Sequence, residues 1–153
     1  MIEVCSSFKC SPRTYFLSVT ILDKYLTACH QHGQILENKD IHQGGVVAMY
    51  LASKYEDVFP LHSKIVSEKI AHNAISPMDI VRKEREFLAL FGFQMDFVTH
   101  FDFHQTYCDK IEKQINYNLK QAGDSVTPEF KAKCQTLLTK LADMALYLTK
   151  MAI

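Results

Sequence analysis

Residues 41–57 read IHQGGVVAMYLASKYED. On a helix this run is apolar on nearly every side, with few polar interruptions before Ser53, and it closes on the cluster Lys54-Tyr55-Glu56-Asp57. A helix that is hydrophobic all round has to be buried by its neighbours. Gly44, Gly45, Ala48 and Ala52 are small and lie three to four apart, so they let those neighbours approach its backbone closely. The stretch predicts a central buried helix over 41–55 with a charged tip. Lysine is almost never buried unless paired, so Lys54 either turns to solvent or has an acid of its own.

Helix signals supply the surroundings. Ser11-Pro12, Ser76-Pro77 and Thr127-Pro128 each put a hydroxyl cap ahead of a proline at the first helical position. Asp79 and Glu129 then add negative charge to a first turn, where it suits the helix dipole. Apolar residues follow at helical spacing: Tyr15, Phe16, Val19, Leu22 and Leu26 after the first cap, Ile80, Val81, Phe87, Leu88 and Phe91 after the second. A third series runs from Phe130 to Leu148, and Gly92 stands where a C-terminal cap belongs. Two further helices are predicted over 63–71 and 101–119, and polar loops over 28–39 and 120–126, the latter with Gly123 and Asp124. No stretch alternates as a strand would. The fold class is all-α, a helical bundle around helix 41–55.

Composition narrows the function. The chain has 153 residues with 17 basic and 17 acidic side chains, so no global charge favours nucleic acid. Lys110, Lys113, Lys120, Lys131 and Lys133 are the candidate basic face, diluted by Asp109 and Glu112. Its apolar runs are too short to span a membrane, and the first residues lack the pattern of a signal peptide. Five scattered cysteines without a C-x-x-C pair favour free thiols in a reducing, intracellular setting. His100, His104 and Cys108 share one helical face at i, i+4, i+8, a spacing that metal ligands use. No fourth ligand accompanies them, and an amphipathic helix is the favoured explanation of the spacing. No nucleophile elbow, phosphate-cradling glycine loop or H-E-x-x-H motif is present. The expectation is a protein that is not an enzyme and carries no metal or cofactor.

Three segments, in order, resemble the cyclin box. Thr14–Leu26 reads TYFLSVTILDKYL, similar to the family's TLFLAVNYLDRFL. Ala52–Pro60 reads ASKYEDVFP, similar to a pattern like AsKyEE followed by an apolar residue and proline. Ser76–Glu84 reads SPMDIVRKE, with LALFGF following where the family has a similar L-x-x-L-x-F. The resemblance covers residues 1–103, and residues 104–153 read as a C-terminal helical extension. Within it Leu141–Ile153 (LADMALYLTKMAI) echoes the first helix of a second box.

The resemblance implies a regulatory subunit that binds and activates a cyclin-dependent protein kinase in cell-cycle control, working in the nucleus or cytoplasm. The alternative is a cyclin-fold scaffold in a larger protein assembly without kinase activation. It further implies that Lys54 and Glu84 meet across two helices and contact the kinase. Leu51, Tyr55, Val58, Leu88, Phe93 and Met95 would face the kinase around them, Leu51 and Phe93 being the readiest alternatives for the core. Glu56 would lie near the arginines of the kinase activation segment, or else be a solvated acid.

In the family a first helix with a motif like MRAILVDWL precedes the box, helps to dock substrates, and carries an arginine that pairs with the acid matching Asp23. Met1 stands where that motif has passed, leaving Ile2-Glu3-Val4 and Phe8. Asp23 is therefore expected to need another donor or cation. The groove beside Tyr15, Val19 and Leu22 is expected to be filled by upstream residues, by helix 128–152, or by another chain.

Overall fold

The computed structural model describes residues 1–122 and 126–153, and every regular element among them is helical. In chain order these are α1 (Ile2–Ser7), α2 (Pro12–Gln31), α3 (Asn38–Glu56), α4 (Ser63–Ile65), a π-helical segment (Val66–Ile70), α5 (Pro77–Leu90), α6 (His100–Gln121) and α7 (Pro128–Met151). They form two compact units, residues 1–99 and 100–153. Gly123 and Asp124, read as loop residues, lie outside the described residues.

The three hydroxyl caps form as their chemistry requires. Ser11 Oγ accepts the N–H of Thr14 at 3.1 Å, Ser76 Oγ that of Asp79 at 3.1 Å, and Thr127 Oγ1 that of Phe130 at 3.3 Å. Two boundaries differ from the sequence reading. α2 continues to Gln31, and α3 starts at Asn38, so half of the predicted loop 28–39 is helical. α3 opens on an acidic capping box in which Glu37 and Asp40 accept from each other's backbone. An all-acid box lacks the usual Ser or Thr signal. The predicted helix 63–71 is a single α-turn followed by the π segment, where Ala71 N–H bonds Val66 C=O at 2.8 Å. The Ser67 hydroxyl donates to Ile75 C=O at 2.6 Å and draws the following loop back onto this turn.

α3 is the centre of the first unit, with Val46 to Ser53 buried without a break. Leu17 and Ile21 of α2, Val47, Ala48, Leu51 and Ala52 of α3, Phe87 of α5 and Met95 form the core cluster. Each large apolar side chain so buried contributes about 1.5–3 kcal/mol. The small residues do what their spacing suggested. A Cβ on Gly44 would stand 3.2 Å from the Tyr25 ring and 3.3 Å from Leu22. Tyr25 in turn stacks on Phe87, ring centres 4.2 Å apart.

One contact to both α2 and α3 was not foreseen. Met1, which precedes α1, brings its sulfur 3.5 Å from Ser18 Oγ. Its methyl would stand 3.3 Å from a Cβ on Gly45. Asp23 corrects a second expectation: it is exposed. Water solvates its carboxylate, so the cost of a buried unpaired acid does not arise.

In the second unit α6 and α7 pack as a helical pair. Phe101, His104, Cys108, Ile115 and Leu119 are half-buried, as are Cys134, Leu138, Ala142 and Leu146. His104 Nε2 lies 3.0 Å from Ala142 C=O and ties the two helices.

Candidate partner-binding site

The C-terminal tip of α3 and the middle of α5 build one site. α5 turns Ile80, Glu84 and Phe87 into the protein, an i, i+4, i+7 stripe in which Glu84 takes an apolar position. Its carboxylate is carried into the interface between helices, and the cation comes from α3. Lys54 Nζ stands 2.5 Å from Glu84 Oε1. The Glu84 side chain is 9% exposed and that of Lys54 is 44% exposed, so the pair straddles the surface. The hydrogen bond to Glu84 holds the Lys54 ammonium above its ordinary pKa, against the opposing effect of partial burial. Nζ also lies 5.2 Å from the centre of the Tyr50 ring, in cation–π range. An ammonium has three donors, and the bonds to Glu84 and Tyr50 leave capacity for an acceptor on a partner.

The residues expected around this pair divide into two sets. Tyr55, Val58 and Phe93 are exposed, Val58 at 87% and Phe93 at 73%. Leu88 is half-buried against the core. Leu51 and Met95 are corrected: both belong to the core cluster and have almost no surface to offer another molecule. Phe93, for which the core was the readiest alternative, instead follows Gly92 in left-handed backbone, φ 58° and then 61°. A bulky residue at positive φ is uncommon. Here it turns the ring outward just past the end of α5. Glu56 is neither free nor fully solvated, because Arg13 Nε reaches its Oε1 at 3.2 Å and joins the start of α2 to the end of α3.

Several participants were not singled out from sequence. Asp57 Oδ1 accepts the Ser11 N–H at 3.0 Å and the Thr14 hydroxyl at 2.7 Å. Cys10 lies beside it, its thiol pushed up to about 12 by burial first and then by Cys5 and Asp57. Phe59 is 91% exposed next to Val58. The acid-rich ASKYEDVFP segment was the available signal for Asp57 and Phe59. Nothing local linked Arg13 to Glu56, 43 positions away.

The alternative metal reading meets a different geometry. A carbonyl only accepts, so the contact with Ala142 makes His104 Nε2 a donor and commits that nitrogen. Cys108 Sγ lies 3.6 Å from the same nitrogen, and His100 is exposed. Among the described residues no group of three or more ligating side chains is placed to hold a metal ion. No helix among them is long and apolar enough to cross a membrane, and no disulfide links the five cysteines.

A family model described as the N-terminal domain of cyclins matches residues 1–96, all within the first unit. The chain belongs to the cyclin family. This cyclin is 32% identical over 120 residues to the G2/mitotic-specific cyclin-B of Emericella nidulans, covering 78% of this chain and 23% of that protein. It is 25% identical over 123 residues to Cyclin-B1-1 of Arabidopsis thaliana (76% and 27%). To the G1/S-specific cyclin-D2 of Rattus norvegicus it is 28% identical over 120 residues (74% and 38%). The chain thus spans about a quarter of the length of the first two relatives. The match to cyclin-B is longer than the first unit and so extends into the second.

Proposed function

We propose that this cyclin binds a cyclin-dependent protein kinase through the α3 tip and α5, and shifts that kinase toward its active arrangement. The observation that carries the reading is a nearly buried Glu84 holding Lys54 at the surface, with exposed Tyr55 and Val58 at the end of α3 and exposed Phe93 just past the end of α5. Because Glu84 balances the lysine charge, the partner group suited to its spare donors is a neutral acceptor such as a backbone carbonyl. Apolar residues around a charged pair are the arrangement of a binding hot spot kept dry by its rim.

The chain's contribution is differential binding rather than chemistry. A kinase needs its regulatory helix seated so that its own Lys–Glu pair forms. A subunit that binds the seated arrangement better raises its population. Residues 104–153 are read as a C-terminal helical extension in which 141–153 echo the first helix of a second box, and the setting as intracellular, nucleus or cytoplasm.

Calorimetry and kinase assays with a panel of purified cyclin-dependent kinases test the reading. One or more should bind and gain activity, and Lys54→Ala or Glu84→Ala should weaken the complex by about 2–5 kcal/mol while the fold persists. Binding without activation, or wild-type affinity in both variants, would favour the scaffold alternative.

A further inference from the structure

The loop between α3 and α4 is held open rather than left slack. The Asp57 N–H donates to Ser53 C=O at 3.0 Å, ending α3. Four residues on, the Leu61 N–H donates to Oγ of the same Ser53 at 3.0 Å. Ser53 is fully buried and Leu61 is buried, so one core residue fastens both ends of the segment 57–61, the first through its backbone carbonyl and the second through its hydroxyl. The Asp57 carboxylate adds a third tie through Ser11 N–H and the Thr14 hydroxyl at the start of α2. Thr14 is itself fully buried and shares a bond with Ser11 Oγ at 2.9 Å. Pro60 restricts the residue before it to extended backbone and fixes its own φ. What this bracing presents is Val58 and Phe59, the two most exposed apolar side chains near the Lys54 site. Neither contributes to the core. Ties to buried groups on either side of them are what keep two such side chains from folding back onto the protein.

We propose that Phe59, together with Val58, is a further anchor of the kinase interface, and that Ser53 and Asp57 are positioning residues that set its loop before the partner arrives. The inference rests on the kinase-binding reading and deepens it. The patch is continuous with the Lys54 site, since Val58 and Phe59 follow Lys54 by four and five residues at the same helix tip. The occupant that fits is a kinase surface with an apolar recess beside the acceptor that meets Lys54. A loop ordered in advance loses less conformational freedom on association, which is how preorganisation favours affinity.

The experiment uses the whole chain and whichever purified cyclin-dependent kinase the panel shows to bind wild type. Phe59→Ala is an exposed truncation that should melt like wild type and weaken the dissociation constant by roughly tenfold or more, the loss expected of an anchor residue. Asp57→Ala should lower the NMR order parameters of Val58 and Phe59 in the free protein from their rigid values. It should also weaken binding, while Asp57→Asn, whose amide oxygen still accepts, should restore both. Ser53→Ala provides a second readout through faster exchange of the Leu61 amide, should Asp57→Ala fold poorly.

If Lys54→Ala weakens the complex and Phe59→Ala stays within twofold of wild type, the anchor is refuted and the kinase reading stands. If no kinase on the panel binds wild type, the reading itself fails and the anchor falls with it. Unchanged order parameters and unchanged Leu61 exchange would refute the positioning role. Self-association by sedimentation that Phe59→Ala abolishes would assign the patch to a second copy and overturn its assignment to a kinase.

Discussion

Lys54→Met should cost more than Glu84→Gln, although the two remove the same ion pair. Methionine deletes the cation and leaves the Glu84 carboxylate, 9% exposed, without its charged partner. A fully buried charge stranded in this way costs about 3–5 kcal/mol. Lys54 is 44% exposed, so water enters where its ammonium stood and the penalty is discounted. The expected loss is about 1–2 kcal/mol. Glutamine at 84 keeps an acceptor for Lys54, whose ammonium water can solvate, and should lose under about 1 kcal/mol. Urea unfolding with linear extrapolation reads both values and, with the double variant, the coupling between them.

The pH dependence carries a definite sign. The folded-state pKa of Lys54 is raised above the ordinary lysine value of 10.5. The stabilisation from its charge is therefore complete below 10.5 and is lost as pH rises through the higher folded value. Wild type should lose its advantage over Lys54→Met in that alkaline window and nowhere near neutrality. Equal losses in the two single variants with no coupling, or a difference that persists unchanged at high pH, would refute the account of a half-desolvated pair.

Four other outcomes follow from particular residues. Gly44→Ala should destabilise by about 1–3 kcal/mol, because its Cβ meets a Tyr25 ring already stacked on Phe87. Gly45→Ala should be neutral or stabilising by up to about 1 kcal/mol, since the Met1 methyl it meets is the end of a flexible side chain; thermal melts separate the two. Phe87→Ala removes a ring that is 1% exposed at the centre of the core and should cost about 3–5 kcal/mol in urea unfolding. Cys10, with its thiol pushed up to about 12, should resist iodoacetamide at pH 8 in the folded protein and react once urea is added, as followed by peptide mass spectrometry.

The all-α fold, the buried central helix and the three hydroxyl-proline starts were legible in the chain because each rests on local physics. Helical periodicity, a cap beside a proline, and small residues spaced three to four apart act within a few residues of one another. The acidic start of α3 was missed because Glu37 and Asp40 look like an ordinary polar loop until their backbone partners are in place. The Lys54–Glu84 pair was an expectation only through the family resemblance, since 30 residues separate the two and neither segment alone calls for the other.

Tertiary structure alone decided which apolar residues are surface. Leu51 and Met95 went to the core while Phe59 and Phe93 stayed outside. All four are chemically suited to either place, and the choice is made by how α2 and α5 close over α3 and by left-handed backbone at 92–93. Asp57 shows the same division: its position in ASKYEDVFP is written in the chain, but its role in bracing that loop depends on Ser11 and Thr14, which only the packing of α2 against α3 brings within hydrogen-bond reach.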